Sequence, residues 1–251
     1  MYRNANLRDP ESNLQVFVEK LAQLPLEFQP GTDWRYSVAT DVLGRVLEVV
    51  SGYPFDRYLE KMVFAPLGMD DTAFYVPEEK LGRLTSVYGP SGDYGIQELD
   101  RPAVNLYKRA HTMFSGGGGL VSTASDYMRY CQMMLNGGTL DGARLLGPKT
   151  VKLMSVNHLP KELMPYSVSE SSVEWTQGCG FGLGFKVVMD LALHGVLGSE
   201  GNFGWGGAAS TEFWIDPKEE LIAILMTQFM PTGHYPTRRE FQVTTYQAMV
   251  D

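Results

Sequence analysis

Hydrophobic positions recur at helical spacing through much of the first 156 residues. Over residues 38–50, the apolar residues Val42, Leu43, Val46, Leu47 and Val50 form one stripe, which is the pattern of an amphipathic helix. Further helices are predicted over residues 12–24, 54–63, 123–135, 149–156 and, near the end of the chain, 238–249. We expect the helix over 54–63 to end before Pro66, because proline lacks the N–H that a helix interior requires.

The spacing changes to alternation in the last third of the chain. Runs rich in Val, Ile, Phe and Trp predict β-strands over residues 182–189, 208–215 and 221–229. The short connection at 216–220 is typical of an antiparallel hairpin. Glycine and proline interrupt residues 74–114, which predicts short strands and loops, and the polar residues 160–178 predict a surface loop. Helices followed by an antiparallel sheet and a closing helix indicate an α+β fold.

Composition and charge narrow the class of protein. The 251 residues are 44% hydrophobic, which is enough to build a core, so disorder is not expected. Lys and Arg number 21 against 29 Asp and Glu, and a net charge of −8 without a basic cluster argues against nucleic acid as a partner. The longest apolar run, residues 221–226, is far shorter than the roughly 20 residues of a membrane helix. The first ten residues lack the apolar core of a signal peptide. We therefore expect a soluble chain without a membrane partner, and a cytoplasmic location is favoured.

Several common metal-binding and catalytic patterns are absent from the sequence. There is no H-E-x-x-H, and the four histidines are scattered, so we expect separate surface or loop histidines and no metal site. There is no G-x-S-x-G either. The glycines at 116–119 lack the Lys-Ser/Thr of a phosphate loop and are interpreted as a place where backbones approach closely. Cys131 and Cys179 are too few for a disulfide framework and are expected to be buried as small apolar side chains.

Two short segments are harder to explain by structure alone. Residues 30–38 place Tyr36 and Ser37 side by side just before a predicted helix. Taken alone, this segment is compatible with an aromatic plug followed by a helix cap. Residues 204–210 lead several glycines into a predicted strand, which is compatible with a β-bulge or a close backbone approach.

Taken with two further segments, they resemble one known family. The segment beginning Tyr36-Ser37-Val38 resembles the second motif of the serine β-lactamase-like superfamily, and the block at 64–72 resembles that family's PLGM-x-DT pattern. Residues 116–123 are similar to its glycine stretch before a helix, and residues 204–208 stand at its third motif. Among its members, the chain is most similar to the class C β-lactamase-related carboxylesterases.

The resemblance implies a fold and a domain organisation. The implied fold is α+β and β-lactamase/DD-peptidase-like, with an antiparallel sheet flanked by helices and a mostly helical region. Residues 1–251 would form a single incomplete domain of this kind. The mostly helical and loop region would cover about 1–156, and the C-terminal strands and closing helix about 175–251.

The resemblance also implies a chemistry. In this family a serine in S-x-x-K attacks a carbonyl, while the lysine of that motif and the tyrosine of the second motif transfer the proton. Tyr36 matches that tyrosine, and since a free phenol has a pKa near ~10, it needs a nearby cation to act as a base. Trp205, Gly206 and Gly207 match the third motif, which contacts the substrate, and the N–H of Ala208 would complete the oxyanion hole. No metal or organic cofactor is implied.

The nucleophile motif itself is absent. No serine in the chain has a lysine three positions later; the nearest arrangement is Ser155 followed by His158. We therefore expect the chain to be the C-terminal portion of a longer enzyme, without its N-terminal strands and nucleophile helix, and to be inactive alone. In the family fold those strands lie beside the last strand, here 221–229. Without them it would be an exposed apolar edge through which the chain could self-associate.

Departures from the family pattern indicate the substrate class. Val38 stands where penicillin-hydrolysing relatives commonly carry Asn, and Trp205 stands in place of a lysine that would attract a β-lactam carboxylate. A small uncharged carboxylic ester is therefore the favoured substrate over a β-lactam. A β-lactamase or D-Ala-D-Ala peptidase is the alternative enzyme hypothesis. A non-catalytic pseudoenzyme that serves as a binding module is the alternative from a different class.

Overall fold

The computed structural model describes Ala5, Leu7 and Asp9 and then residues 11–92, 95–99, 106–168 and 173–249. It divides into two compact units. The first comprises residues 1–33, 37–85 and 100–126, and the second comprises residues 34–36, 86–99 and 127–251. The expectations for the first ten residues and for 74–114 and 160–178 fall partly outside the described residues. That residues 1–251 form a single incomplete domain stays a prediction.

The first unit is built on helices α1 (Leu14–Leu21), α2 (Ala39–Ser51) and α3 (Phe55–Leu59). Asn13 caps α1 by accepting from the Val16 N–H at 3.0 Å, which satisfies one of the free amides of the first turn. The unit's core consists of the buried side chains of Leu7, Leu14, Phe17, Val38, Phe55, Phe74 and Met113. The helices predicted from spacing over 12–24 and 38–50 are therefore confirmed, with shorter bounds for the first.

The third predicted helix runs past the point where it was expected to end. A π-helical turn, Glu60–Phe64, follows α3, and a last α-helical turn, Ala65–Leu67, contains Pro66. The Ala65 N–H donates to the carbonyl of Glu60. This five-residue spacing shifts the hydrogen-bond ladder just before Pro66, which can therefore lack an N–H without breaking the helix.

The described remainder of residues 74–114 forms short elements, as predicted. It contains 3₁₀ turns at Glu78–Arg83 and Leu106–Lys108, and a small antiparallel pair of β1 (Tyr88–Ser91) and β2 (Gly95–Glu98). Helix α4 (Ala124–Leu135) crosses the division between the two units. It is followed by a two-residue hairpin pair, β3 (Thr139–Leu140) and β4 (Ala143–Arg144), and by α5 (Pro148–Met154).

The second unit contains a five-stranded sheet in which every neighbouring pair is antiparallel. In sheet order the strands are β5 (Cys179–Phe181), β6 (Lys186–Val188), β7 (Phe203–Gly206), β8 (Glu212–Asp216) and β9 (Leu221–Leu225). The closing helix is α8 (Thr237–Gln247), after the short helices α6 (Val173–Thr176) and α7 (Leu191–His194). The α+β prediction is confirmed. Strand β9 pairs with β8 alone within the described sheet, so self-association through this edge stays a prediction.

Three strands were predicted where the sheet has five, and the glycines explain the difference. Strand β7 contains two glycines, so it lacks the alternating β-branched and aromatic residues by which strands were predicted. The run over 182–189 is broken by Gly184, whose φ of 91° is a left-handed turn conformation, so only Lys186–Val188 is a strand. Residues 208–210 form a turn, and the strand predicted from 208 begins at Glu212.

Two predictions about exposure were wrong. The segment 160–178 is not a simple surface loop, because Tyr166 and Thr176 are buried and the Thr176 hydroxyl donates to the Tyr166 carbonyl at 2.5 Å. His194 is buried at the end of α7 and so is neither a surface nor a loop histidine, whereas His111 lies in a loop, although it is buried, and His158 and His234 are exposed. Both cysteines are buried, as predicted. None of the helices in the described ranges is long and apolar enough to cross a membrane.

The glycine run of the first unit lies against the start of α2. A Cβ on Gly116 would overlap the carbonyl oxygen of Thr40. Beside it, the Ser115 hydroxyl donates to the buried carboxylate of Asp41 at 2.5 Å. The interpretation of this run as a close backbone approach is confirmed.

We expect Gly116→Ala to lower the free energy of unfolding by about 1–3 kcal/mol, because the new methyl group must push backbone apart in a packed region. The matched control is Gly118→Ala, where a Cβ would have no neighbour within 4 Å and the change should stay within about 0.5 kcal/mol. Urea unfolding of the two variants checks this. Equal stabilities would contradict the close approach.

Candidate active site

The structure brings together two of the residues singled out from separate segments. Tyr36 belongs to the short segment 34–36 that packs in the second unit, and Trp205 lies in β7. Their rings stack with centroids 6.2 Å apart and an interplanar angle of 22°. Tyr36 is half exposed, so one side of this pair is open to a ligand.

The stacked pair continues into a larger aromatic cluster. The Trp205 ring meets Trp175 edge-on at 5.0 Å and Phe181 at 5.5 Å, and Trp34 lies 5.2 Å from Phe181. We use the name aromatic cluster for Trp34, Tyr36, Tyr166, Trp175, Phe181 and Trp205. Apart from Tyr166, which is buried, these rings are at least partly exposed and present neutral, apolar surface, which suits an uncharged organic ligand.

The turn between β7 and β8 exposes a backbone donor. The Gly207 N–H donates to the Thr211 carbonyl at 2.9 Å, and the Ser210 N–H donates to the Gly207 carbonyl at 3.1 Å. The N–H of Ala208, between them, has no acceptor among the residues that the structure describes. Ala208 is exposed, so its N–H is available to an oxygen atom of a ligand, which is the property of an oxyanion-hole donor.

Packing around this turn explains why glycines occupy it. A Cβ on Gly204 would overlap the carbonyl oxygen of Phe213 on the neighbouring strand, and one on Gly207 would overlap the Thr211 hydroxyl. A Cβ on Gly206 would lie 2.5 Å from a carboxylate oxygen of Glu212. A side chain at 204 would therefore push the neighbouring strand away, whereas one at 206 or 207 would require the facing side chains of Glu212 or Thr211 to move.

Tyr36 has no cation beside its hydroxyl in the described part of the chain. Its recorded contact there is the ring of Trp205. Lys186, in β6, has its Nζ 4.3 Å from the centroid of the Trp175 ring. These residues therefore supply a phenol, an apolar wall and a backbone donor, and no serine of the chain has a lysine three positions later.

Comparison with known proteins gives the family. The pattern of the Beta-lactamase family matches residues 2–246 of the chain. The chain belongs to this family. An uncharacterized protein of Mycobacterium tuberculosis is 36% identical over 223 residues, which are 86% of this chain and 54% of that protein. A lovastatin esterase of Penicillium rubens is 32% identical over 236 residues, 88% of this chain and 56% of the esterase.

Solved structures of this family give the fold. The structure of EstCE1, a hydrolase with promiscuous acyltransferase activity, superposes on this chain with a TM-score of 0.79 at 25% identity. The match covers 98% of this chain and 65% of the EstCE1 chain. The fold is that of the serine β-lactamases and DD-peptidases, as expected from the sequence. The chain spans about half the length of the curated relatives that it matches.

The other two segments that resemble the β-lactamase family have structural roles. In the block 64–72, the Asp71 N–H and the Thr72 hydroxyl both donate to the buried carboxylate of Asp126 at 2.8 Å. The Asp71 carboxylate accepts from Arg83 and Lys80, which holds its pKa well below the usual range. This block therefore fastens the start of α4, and the glycine run packs on α2.

Sequence reasoning missed most of the aromatic cluster. Tyr166 and Trp175 lie in the segment interpreted as a polar surface loop, and Phe181 ends a strand that was not predicted. One signal was available for Trp34, which stands two residues before Tyr36, so both rings could share one side of an extended segment. The contacts of the other rings depend on residues far apart in the sequence.

A second pair of reactive side chains lies buried in the same unit. The Cys179 sulfur is 3.5 Å from His194 Nδ1. Burial raises the pKa of the Cys179 thiol to about 11 and lowers the pKa of His194 to about 4. Both groups are therefore neutral near pH 7, so the pair lacks the thiolate that a cysteine nucleophile requires.

We expect the free energy of unfolding to fall as the pH drops from 6.5 toward 4, in part because of His194. Its pKa is about 6.5 when unfolded and is lowered to about 4 in the folded chain, first by burial and then by the charge of Lys186. The unfolded chain binds more protons in this window, so acid favours unfolding. The free energy of unfolding is measured by urea at about pH 7 and about pH 4.5. Its drop between the two pH values should be smaller in His194→Gln than in the wild type by roughly 1–3 kcal/mol.

The control for this measurement is His234→Gln, at an exposed position. This variant should lose as much unfolding free energy between about pH 7 and about pH 4.5 as the wild type does. If His194→Gln loses as much stability in acid as the wild type does, the buried neutral histidine is not the cause.

Proposed function

We propose that this chain contributes the substrate-binding wall and one oxyanion donor of a serine hydrolase that cleaves uncharged carboxylic esters through an acyl-enzyme. The proposal rests mainly on the stacking of Tyr36 on Trp205. Trp205 lies in β7, and this strand leads to Ala208, whose N–H has no acceptor among the described residues. A carbonyl carbon held there would have a phenol for proton transfer and a backbone donor for its oxygen. Gly206 and Gly207 shape the turn so that the donor stays exposed.

The aromatic surface supports an ester over a β-lactam. Penicillins carry a carboxylate, and a lysine at position 205 would attract it, whereas the indole of Trp205 offers no charge. The partly exposed rings of Trp34, Trp175 and Phe181 extend this neutral surface. Two similar proteins are named as a lovastatin esterase and as a hydrolase with acyltransferase activity, which agrees with acyl transfer from an ester.

The 251 residues alone should not complete the reaction. Acyl transfer in this family needs a serine activated by the lysine of S-x-x-K, and no serine in the chain has this partner. The phenol of Tyr36 and the N–H of Ala208 can orient a carbonyl group, but they cannot replace the nucleophile. The same absence favours one alternative of a different class, a pseudoenzyme that binds esters without cleaving them.

We expect the purified chain to hydrolyse p-nitrophenyl butyrate no faster than buffer does, with nitrocefin as the β-lactam comparison. Tyr36→Phe should leave the background rate unchanged, because no acyl-enzyme forms. The release of nitrophenol, followed by absorbance, checks this. Turnover that exceeds background and disappears in Tyr36→Phe would show that the chain holds a nucleophile of its own.

We expect Trp205→Lys to change the ligand preference of the site. An ammonium group at this position should strengthen the binding of benzylpenicillin by about fivefold at low salt, and the gain should disappear at high salt. Binding measured by calorimetry for benzylpenicillin and for ethyl butyrate checks this. Trp205→Phe is the matched control and should keep the preference for the ester. A wild-type chain that binds the penicillin more tightly than the ester would exclude the proposed substrate class.

A further inference from the structure

A group of three charged side chains, two of them buried and one partly buried, lies beneath the turn that carries Ala208. Its members are Arg238 in the first turn of α8, Glu212 at the start of β8 and Lys186 at the start of β6. The Arg238 Nε lies 3.1 Å from a Glu212 oxygen, in an ion pair whose N–H is not aligned for a hydrogen bond. The Lys186 Nζ lies 3.9 Å from the other oxygen. Buried charges are costly unless they are paired, so this arrangement requires an explanation.

The position of Arg238 is unfavourable by the usual rules for helices. It is the second residue of α8, where the helix dipole is positive and a cation is disfavoured. Pro236, the residue before the helix, provides no side-chain cap. The contacts of Arg238 with the neighbouring sheet must therefore compensate for its placement.

Those contacts are with the β7–β8 turn. The Arg238 Nη2 donates to the carbonyl of Gly207, and it donates to the carbonyl of Thr211 at 2.8 Å. These two carbonyls stand at the two ends of the turn, and Ala208 lies between them. A guanidinium group can serve two acceptors in a fixed geometry, which a lysine cannot do.

The Gly207 carbonyl and the Ala208 N–H belong to the same peptide group. A trans peptide is planar, and its C=O and N–H point in opposite directions. A donor that holds the Gly207 carbonyl therefore also sets the direction of the Ala208 N–H. A cationic donor on the carbonyl oxygen also polarises the peptide group, which strengthens the N–H as a donor.

Gly206 makes this arrangement possible. A Cβ at this position would lie 2.5 Å from a Glu212 oxygen and 2.8 Å from the Arg238 Cζ. The glycine thus lets the ion pair lie directly beneath the end of β7. Glu212 in turn holds the guanidinium group, and the opposite side of the turn is held by the Phe229 N–H, which donates to the Ala209 carbonyl at 3.0 Å.

We propose that Arg238 is a positioning residue for the oxyanion donor, because it orients and polarises the Gly207–Ala208 peptide group through the Gly207 carbonyl. Glu212 holds the guanidinium group in place, and Lys186 pairs with the other oxygen of Glu212. The catalytic meaning of this arrangement rests on the proposed function of Ala208. The orientation of the Gly207–Ala208 peptide group by Arg238 does not depend on that proposed function.

The test uses the ¹⁵N-labelled chain and four variants: Arg238→Met, Arg238→Lys, Arg239→Met and the double variant Glu212→Gln/Arg238→Met. Arg239→Met is the matched control, since Arg239 is exposed and its hydrogen bond within the described residues is to the Gly195 carbonyl, at 3.4 Å, and not to the turn. The first measurement is the chemical shift of the Ala208 N–H and the hydrogen-exchange rate of the Gly207 N–H. The second is the shift of the Ala208 N–H during titration with acetate, whose carboxylate imitates an oxyanion.

In the wild type and in Arg239→Met, acetate should shift the Ala208 N–H downfield in a saturable way. In Arg238→Met, the Ala208 N–H should move upfield without acetate, the Gly207 N–H should exchange about tenfold faster or more, and the response to acetate should weaken by a similar factor. Arg238→Lys should keep the charge beside Glu212 and most of the thermal stability, yet leave the Ala208 N–H displaced. If Arg238 only stabilised the fold, Arg238→Lys would restore both the thermal stability and the wild-type chemical shift of the Ala208 N–H.

The outcomes separate the two proposals. If Arg238→Met leaves the Ala208 shift, the Gly207 exchange rate and the acetate response as in the wild type, the positioning role is wrong. If the wild type does not respond to acetate but Arg238→Met still displaces the Ala208 N–H, the oxyanion role fails and the orientation of the peptide group stands. If Arg238→Met does not fold, the double variant, which removes the unpaired carboxylate, provides the same comparison.

Discussion

The antiparallel contact between β7 and β8 is the constraint on which the candidate site depends. The two backbones lie so close that only glycine fits at position 204, and the side chains of Glu212 and Thr211 occupy the space that a Cβ at 206 or 207 would take. The turn between these strands leaves the peptide N–H of Ala208 without an acceptor among the described residues. Trp205, the residue between the glycines, carries the indole on which Tyr36 stacks. One crowded strand end thus provides both the apolar wall and the backbone donor.

Charge beneath this strand end complements the neutral surface above it. The side chains of the aromatic cluster carry no charge, whereas the buried Glu212 and Lys186 and the partly buried Arg238 lie behind the turn. The two layers are linked where the Lys186 Nζ lies over the Trp175 ring, whose neighbour is Trp205. A site of this kind would bind an uncharged group on one side while the buried cations influence the backbone donor on the other.

Local patterns predicted the helices better than the strands. Helices α1, α2 and α4 follow from apolar residues at helical spacing, because each helix buries one face. The strands around the site were harder to predict, since β7 is rich in glycine and its sequence reflects close backbone packing instead of propensity. The residues 160–178 were misjudged for a related reason. Tyr166 and Thr176 are buried by contacts with distant residues that composition does not reveal.

The sequence by itself determined the family, through four ordered segments, and the absence of a serine paired with a lysine in S-x-x-K. It also identified Tyr36 and the segment from Trp205 to Ala208 as candidates, because these residue types match known chemistry. Only the tertiary structure decided that Tyr36 stacks on Trp205 and that Arg238 reaches back 31 residues to the Gly207 carbonyl. The physical reason is that stacking and hydrogen bonding act over a few ångströms in space. Which residues come that close depends on how the sheet pairs and where the closing helix packs, and spacing along the chain does not record it.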